Sequence, residues 1–193
     1  MNYLMEVFPF MFNGLKITFW VFMVTAIFSI PLGLIICLLR LSKIKPISFL
    51  MKIYILIMRG TPLLLQIIFI FFGLPLVGLV LNRQWATAVA FILNYAAYFA
   101  EIFRGGINSI DAGQFEAAKV LKLSKLNTYL GIIFPQVFKI VLPSLGNELI
   151  TLVKDTSLVY VLGLGDILRA AKTLSNQDAS LIPLLIAAIV YLV

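Results

Sequence analysis

Five apolar stretches leave this chain little choice of fold: about Gly14 to Leu41, Phe49 to Phe72, Trp85 to Phe103, Gly131 to Val153, and from Ser180 onward. The first four reach the roughly 20 residues a helix needs to cross about 30 Å of hydrocarbon. No water reaches a bare peptide group inside a bilayer, so a spanning segment either bonds within itself as a helix or joins a closed barrel. Continuous apolar runs fit the helix, because barrel strands alternate at every second residue. Hydrophobic residues make up 62% of the chain and charged ones 12%, against about 25% charge in soluble domains. The chain therefore reads as one all-α integral membrane domain over residues 1–193, with no internal repeat or low-complexity tract dividing it.

Glycine, proline and charge mark the boundaries. The first span ends in the basic turn from Arg40 to Lys45, closed by Pro46. Arg59-Gly60-Thr61-Pro62 falls inside the second and predicts a kink, since proline removes a helix hydrogen bond. Gly73, Pro75 and Gly78 mark an external loop, and Trp85 is an interfacial anchor for the third span. Arg104-Gly105-Gly106 reads as a glycine stop to that span. Lys154-Asp155-Thr156-Ser157 ends the fourth, and an outer segment from Val159 to Gln177 predicts a short helix around Asp166 to Leu174. The fifth stretch, Leu181 to Val193, is too short to cross, so the last of five spans is expected to continue past Val193. Five spans put the amino terminus outside and the natural carboxyl terminus in the cytoplasm.

A lone Cys37 and the absence of histidine rule out a disulfide framework and a Cys/His metal site within one chain. Cys37 reads as helix packing. They also leave little for catalysis, so neither a catalytic residue nor a metal ligand is assigned. The net charge of +7 is not a nucleic-acid signal, because it clusters at span breaks. Arg40, Lys43, Lys45, Lys52, Arg104, Lys119, Lys122 and Lys125 surround two breaks on one side. Lys16, Arg83, Lys154, Arg169 and Lys172 fall on the other, and eight cations against five follows the positive-inside bias. The first cation is Lys16, and the long apolar run after it lacks a small-x-small cleavage site, so the first span is expected to remain in the mature protein.

The segment between the third and fourth spans is polar, at about residues 105–130. Asp111-x-x-Gln114 resembles a capping box and predicts a short helix start. Phe115, Ala118 and Lys122 then fall on one side, with Glu116 in the first turn and Lys119 three residues beyond it. Two readings are open for such a rod: an interfacial helix on anionic lipid, or a peg for a soluble partner.

Several ordered motifs carry a family resemblance. Glu116-Ala117-Ala118, Leu121, Leu123-Ser124 and Ile132-x-Phe134-Pro135 resemble the EAA loop of permease subunits of bacterial ABC importers. Arg59-Gly60-Thr61-Pro62-Leu63-Leu64-Leu65-Gln66, Tyr98-x-Ala100-Glu101-x-x-Arg104-Gly105-Gly106-Ile107 and Leu152-Val153-Lys154-Asp155-Thr156-Ser157-Leu158 resemble its polar amino acid branch. The likeness runs from about Gly14 to Leu158. It implies a five-helix type I importer permease core in the bacterial cytoplasmic (inner) membrane, with the loop in the cytoplasm. It also implies an ABC ATPase subunit, a second permease copy or homologue, an extracytoplasmic substrate-binding protein and an amino acid as cargo.

Coupling to the ATPase falls by resemblance on Gln114, Glu116, Ala117, Ala118, Leu121 and Lys122. Lys122 stands where the pattern usually has glycine, and Phe134 where it usually has leucine; with lysine there, the helix is expected to continue one more turn. The chain has no G-x-x-x-x-G-K-S/T phosphate loop, so ATP and Mg are expected on the partner ATPase and no cofactor on this chain. The alternative class is an ATP-independent channel or carrier for small polar solutes, which gives no reason for the peg.

Polar side chains at membrane depth face a partner or a wet cavity. Asn94, Tyr98 and Glu101 share one face of the third span, and Glu148, Thr151 and Asp155 one face of the fourth. Thr61 and Gln66 sit at the kink, where broken helices of transporters expose backbone groups. An amino acid needs an acidic acceptor for its ammonium and amide or backbone donors for its carboxylate, and Glu148 with Asp155 favours a basic side chain. Equally open is a structural reading: Glu101 paired with Arg104, Lys154 with Asp155, and Asn94 and Gln66 as glue between helices.

Overall fold

The computed structural model describes residues 2–192, with side chains from Pro9 onward, and contains helices and turns with no strand among the described residues. Its α-helices are α1 (Asn2–Arg40), α2 (Lys45–Gly60), α3 (Leu63–Gly73), α4 (Arg83–Asn108), α5 (Ala112–Val120), α6 (Lys125–Asn127), α7 (Phe134–Asp155), α8 (Ile167–Asp178) and α9 (Ile182–Leu192). Among the described residues, three helical stretches are long and apolar enough to cross a membrane: Pro9–Arg40, Arg83–Asn108 and Lys125–Leu162. The α2 and α3 pair makes a fourth if taken as one span, and α9 is a shorter apolar helix.

The second span bends where expected, and the bend is a full break: α2 stops at Gly60 and α3 starts after Pro62, whose extended backbone opens it. Proline pushes the residue before it out of the helical region, so Thr61 cannot carry the helix through. Arg104-Gly105-Gly106 does not end α4, which runs on to Asn108. A Cβ at Gly106 would collide with Val141 and Val137, so this glycine provides close approach inside a helix. The fourth span is longer than expected. It begins at Lys125, passes through a π-helical segment at Thr128–Ile133, and continues beyond α7 as a 3-10 turn at Thr156–Leu162.

The chain divides into two compact units. One takes the chain up to Phe28, Thr61–Asn94 and everything from Ile150 onward. Its packing centres on Met11, Ile167, Ala171 and Ala187, with Leu15 and Leu174 against them. Gly14 lets α1 touch the start of α8, because a Cβ there would stand 2.8 Å from the Asp166 carbonyl oxygen. The expected interfacial Trp85 is half-exposed and meets Trp20 edge to face, with ring centroids 5.7 Å apart.

The short helix expected around Asp166 to Leu174 forms as α8, with Asp166 as its N-cap. The Asp166 carboxylate accepts from Leu168 N at 3.0 Å and Arg169 N at 3.3 Å. It is fully buried, and desolvation holds its carboxyl above the usual carboxylate range despite those bonds. A raised folded-state value means the native state holds this proton more tightly than the unfolded chain. The contribution of Asp166 to stability therefore grows as pH falls through the window between its folded value and the ordinary value of about 3.9. Asp166→Asn keeps a capping acceptor and removes the buried charge. Its melting midpoint is expected above wild type at pH 7, with the gain shrinking toward about pH 4. A gain that is constant with pH would show that the buried charge is not the cause.

The other unit is Ser29–Gly60 with Tyr95–Leu149. Its interior is built from Cys37, Phe99, Ala100, Ile133 and Val137, all buried, so Cys37 takes the packing role assigned to it.

Candidate functional site

Backbone left unpaired by the break between α2 and α3 is met by side chains of the same unit. Gln66 Nε2 donates to the Thr61 carbonyl at 3.2 Å and to Thr61 Oγ1 at 2.8 Å. Asn94 Nδ2 donates to Gln66 Oε1 at 3.0 Å. Gln66 and Asn94 are both buried, so this chain of amides fixes the start of α3 against α4 in apolar surroundings. Three of the expected polar residues thus meet in one network, and it can present amide dipoles beside the broken backbone.

A second, ionic group lies in the other unit. Arg104 grips Glu101 with two hydrogen bonds, Nε to Oε1 at 2.9 Å and Nη2 to Oε2 at 2.6 Å. Arg59 Nη1 stands 3.9 Å from the same carboxylate and lies over the Tyr98 ring, 5.1 Å from its centroid. The group opens on a cavity of about 530 Å³, also lined by Arg40 and Lys52. Tyr98, Glu101 and Arg104 are legible in the sequence as polar groups of one span, whereas Arg40 and Lys52 read there as topology signals and Arg59 as part of the kink and of the family motif. Arg59 and Tyr98 are far apart in the chain, and the one local signal was a cation inside an apolar run.

Glu148, Thr151 and Asp155 lie along α7, with Glu148 and Asp155 half-buried and Thr151 exposed. Their spacing keeps them on one helix face. Lys154 beside them is exposed.

The polar loop contains α5. Asp111 caps it, its side chain accepting from Gly113 N at 2.6 Å. Only half of the expected capping box forms, because Gln114 Oε1 faces Gln136 Nε2 at 3.4 Å. Glu116, Ala117, Val120 and Leu121 stand exposed, whereas Ala118 is turned in and buried, and Phe115 meets Tyr129 edge to face at 6.2 Å. A small residue at Ala118 lets the helix sit close to its own unit.

The helix does not continue through Lys122. It closes with Lys122 N donating to the Lys119 carbonyl and Leu123 N to the Ala118 carbonyl, both at 3.0 Å. This is the paired closure that places a left-handed residue after a helix, and Lys122 takes that place with φ of +52°. Lysine thus adopts the turn that glycine makes without strain. Lys122→Gly is expected to raise stability by about 0.5–1 kcal/mol, read as a higher melting midpoint. A lowered midpoint would mean that lysine is not strained there.

Comparison with known proteins accords with this arrangement. Residues 29–193 match the family model described as binding-protein-dependent transport system inner membrane component. The arginine transport system permease protein ArtQ of Bacillus subtilis is 41% identical over 187 residues, 96% of this chain and 85% of that protein. The putative glutamine transport system permease protein GlnP of Rickettsia conorii is 36% identical over 195 residues, 98% of this chain and 89% of that protein. The crystal structure of an amino acid ABC transporter with histidines superposes with a TM-score of 0.89 at 34% identity, covering 99% of this chain and 90% of that one. Broken apolar spans around a capped polar loop helix, and this likeness over nearly the whole length, place the chain in the family of inner membrane components of binding-protein-dependent transport systems.

Proposed function

We propose that this chain is the permease subunit of an ABC importer for polar or basic amino acids, driven by ATP hydrolysis on a separate ATPase subunit. The observation that carries the reading is α5, a short helix closed at both ends that holds Glu116, Ala117 and Leu121 outward from a chain with no phosphate loop. A rigid peg of this kind transmits force; a loose loop does not. The ATPase seats on Gln114, Glu116, Ala117 and Leu121, with Ala118 and the Lys122 turn setting the height and exit of the peg. The loop and the ATPase lie on the cytoplasmic side, as the distribution of lysine and arginine favours.

Two permeases, identical or homologous, enclose the pathway, and an extracytoplasmic binding protein delivers the cargo. ATPase closure, passed through α5, rocks the spans between inward-facing and outward-facing states. The amide network of Thr61, Gln66 and Asn94 offers dipoles to a zwitterion, and Glu148, Thr151 and Asp155 offer acceptors to an ammonium or a basic side chain. Tyr98 and Glu101 form the wall of the ionic group. The relatives named for arginine and glutamine transport favour this class of cargo.

The test is Glu116→Ala combined with Ala117→Asp. ATP-dependent amino acid uptake in membrane vesicles is expected to fall at least about tenfold, equivalent to roughly 1.4 kcal/mol of lost partner affinity. Membrane abundance and melting midpoint of the chain should hold, since both side chains are exposed. Undiminished uptake would remove the ATPase from α5.

A further inference from the structure

Four cationic side chains, Arg40, Lys52, Arg59 and Arg104, line the 530 Å³ cavity against one carboxylate, Glu101. That carboxylate already accepts both hydrogen bonds of Arg104. Arg59 shares its outer oxygen at 3.9 Å and stacks on Tyr98. Arg40 donates to Ser48 Oγ at 2.8 Å, and among the described residues no carboxylate lies within ion-pairing range of Arg40 or Lys52. Concentrated positive charge of this kind in a concave site attracts a counter-ion rich in oxygen acceptors.

We propose that the cavity binds the phosphate headgroup of an anionic phospholipid, with Arg40 and Lys52 as its main contacts. Position and surroundings both favour a lipid. Arg40 closes α1, and Lys52 lies about two turns into α2 from its start at Lys45, so both stand near helix ends, where headgroups meet a membrane protein. The turn between the two helices adds exposed Lys43 and Lys45. Acyl chains also have a surface to follow, because Phe49, Ile53 and Leu56 recur at helical spacing on α2 and are all exposed. Basic pockets between membrane helices hold anionic headgroups on these terms, through phosphate oxygens and net charge together. Dissolved phosphate offers the same oxygens without the chains, and phosphatidylcholine offers the phosphate without the net charge. Tyr98 and Glu101 border this cavity as well as the proposed cargo path, but its two main contacts, Arg40 and Lys52, are not among the cargo residues.

The chain is purified from membranes in a non-ionic detergent and titrated with phosphatidylglycerol, phosphatidylcholine or inorganic phosphate. Binding is read by native mass spectrometry and by melting midpoint. Phosphatidylglycerol is expected to bind at least about tenfold more tightly than either of the others, and to raise the midpoint. Arg40→Gln with Lys52→Gln should weaken it about 10- to 30-fold, while Lys119→Gln with Lys139→Gln, the same charge change outside the cavity, should stay within about twofold. If the cavity double variant does not fold, Lys52→Gln alone carries the comparison with an expected loss of about fivefold. Equal affinity for phosphatidylglycerol and phosphatidylcholine, or equal losses in the two double variants, overturns the site. Protection by inorganic phosphate at the same concentration overturns the lipid as its occupant.

Discussion

Gly33→Val is expected to destabilise this chain by about 3 kcal/mol or more, at the upper end of what overpacking does. Gly33 on α1 faces the backbone of α4: an ideal Cβ would stand 2.6 Å from Phe99 Cβ, 3.0 Å from the Ala96 carbonyl oxygen and 3.1 Å from Ala100 N. Backbone cannot rotate away as a side-chain tip can, so the helices themselves would have to separate. That separation would open space around Phe99 and Ala100, which are fully buried. The measurement is the melting midpoint and the monodisperse yield after detergent extraction. Gly105→Ala is the matched control, since nothing lies within 4 Å of its Cβ position. It should be neutral or gain up to about 1 kcal/mol from helix propensity. Similar behaviour of the two variants would show that Gly33 is not a contact point.

The second large effect is expected at Glu101. Glu101→Ala leaves Arg59 and Arg104 beside each other with no carboxylate between them. Breaking a fully buried pair costs about 3–5 kcal/mol, mostly from the charge left behind. The Glu101 side chain keeps 21% of its exposure and that of Arg104 36%, so about 2 kcal/mol is the expected loss. The diagnostic is the double variant. Adding Arg104→Gln to Glu101→Ala should recover at least about 1 kcal/mol, because it removes the uncompensated charge. Losses that simply add would mean the pair is an incidental surface contact.

Several parts of this molecule were legible from residues alone, and in each case the cause is local. The apolar runs announced spans because spanning length is a property of one segment. Asp166 announced α8 and Asp111 announced α5, because a cap acts within three residues of itself. Pairing of Glu101 with Arg104 followed from one turn of helix. Errors of boundary arose where a distant partner decided. Gly105-Gly106 reads as a stop in isolation, and becomes a packing notch only because Val137 and Val141 occupy the space beside it. Lys122 is the local exception: it reads as helix former, but the closing bonds from its own N–H to Lys119 and from Leu123 N–H to Ala118 leave it left-handed.

Membrane residence, helical class, the order of the spans and the place of the loop helix follow from hydropathy and punctuation, since both report on a few neighbouring residues. Which polar groups meet does not follow from them. The Asn94 amide reaches Gln66 across 28 positions of chain, and Arg59 reaches Tyr98 and Glu101 from another helix altogether. Those meetings are set by how the helices pack, as the close approaches at Gly33 and Gly106 show for α1 with α4 and for α4 with α7, and packing of that kind is a property no single segment contains.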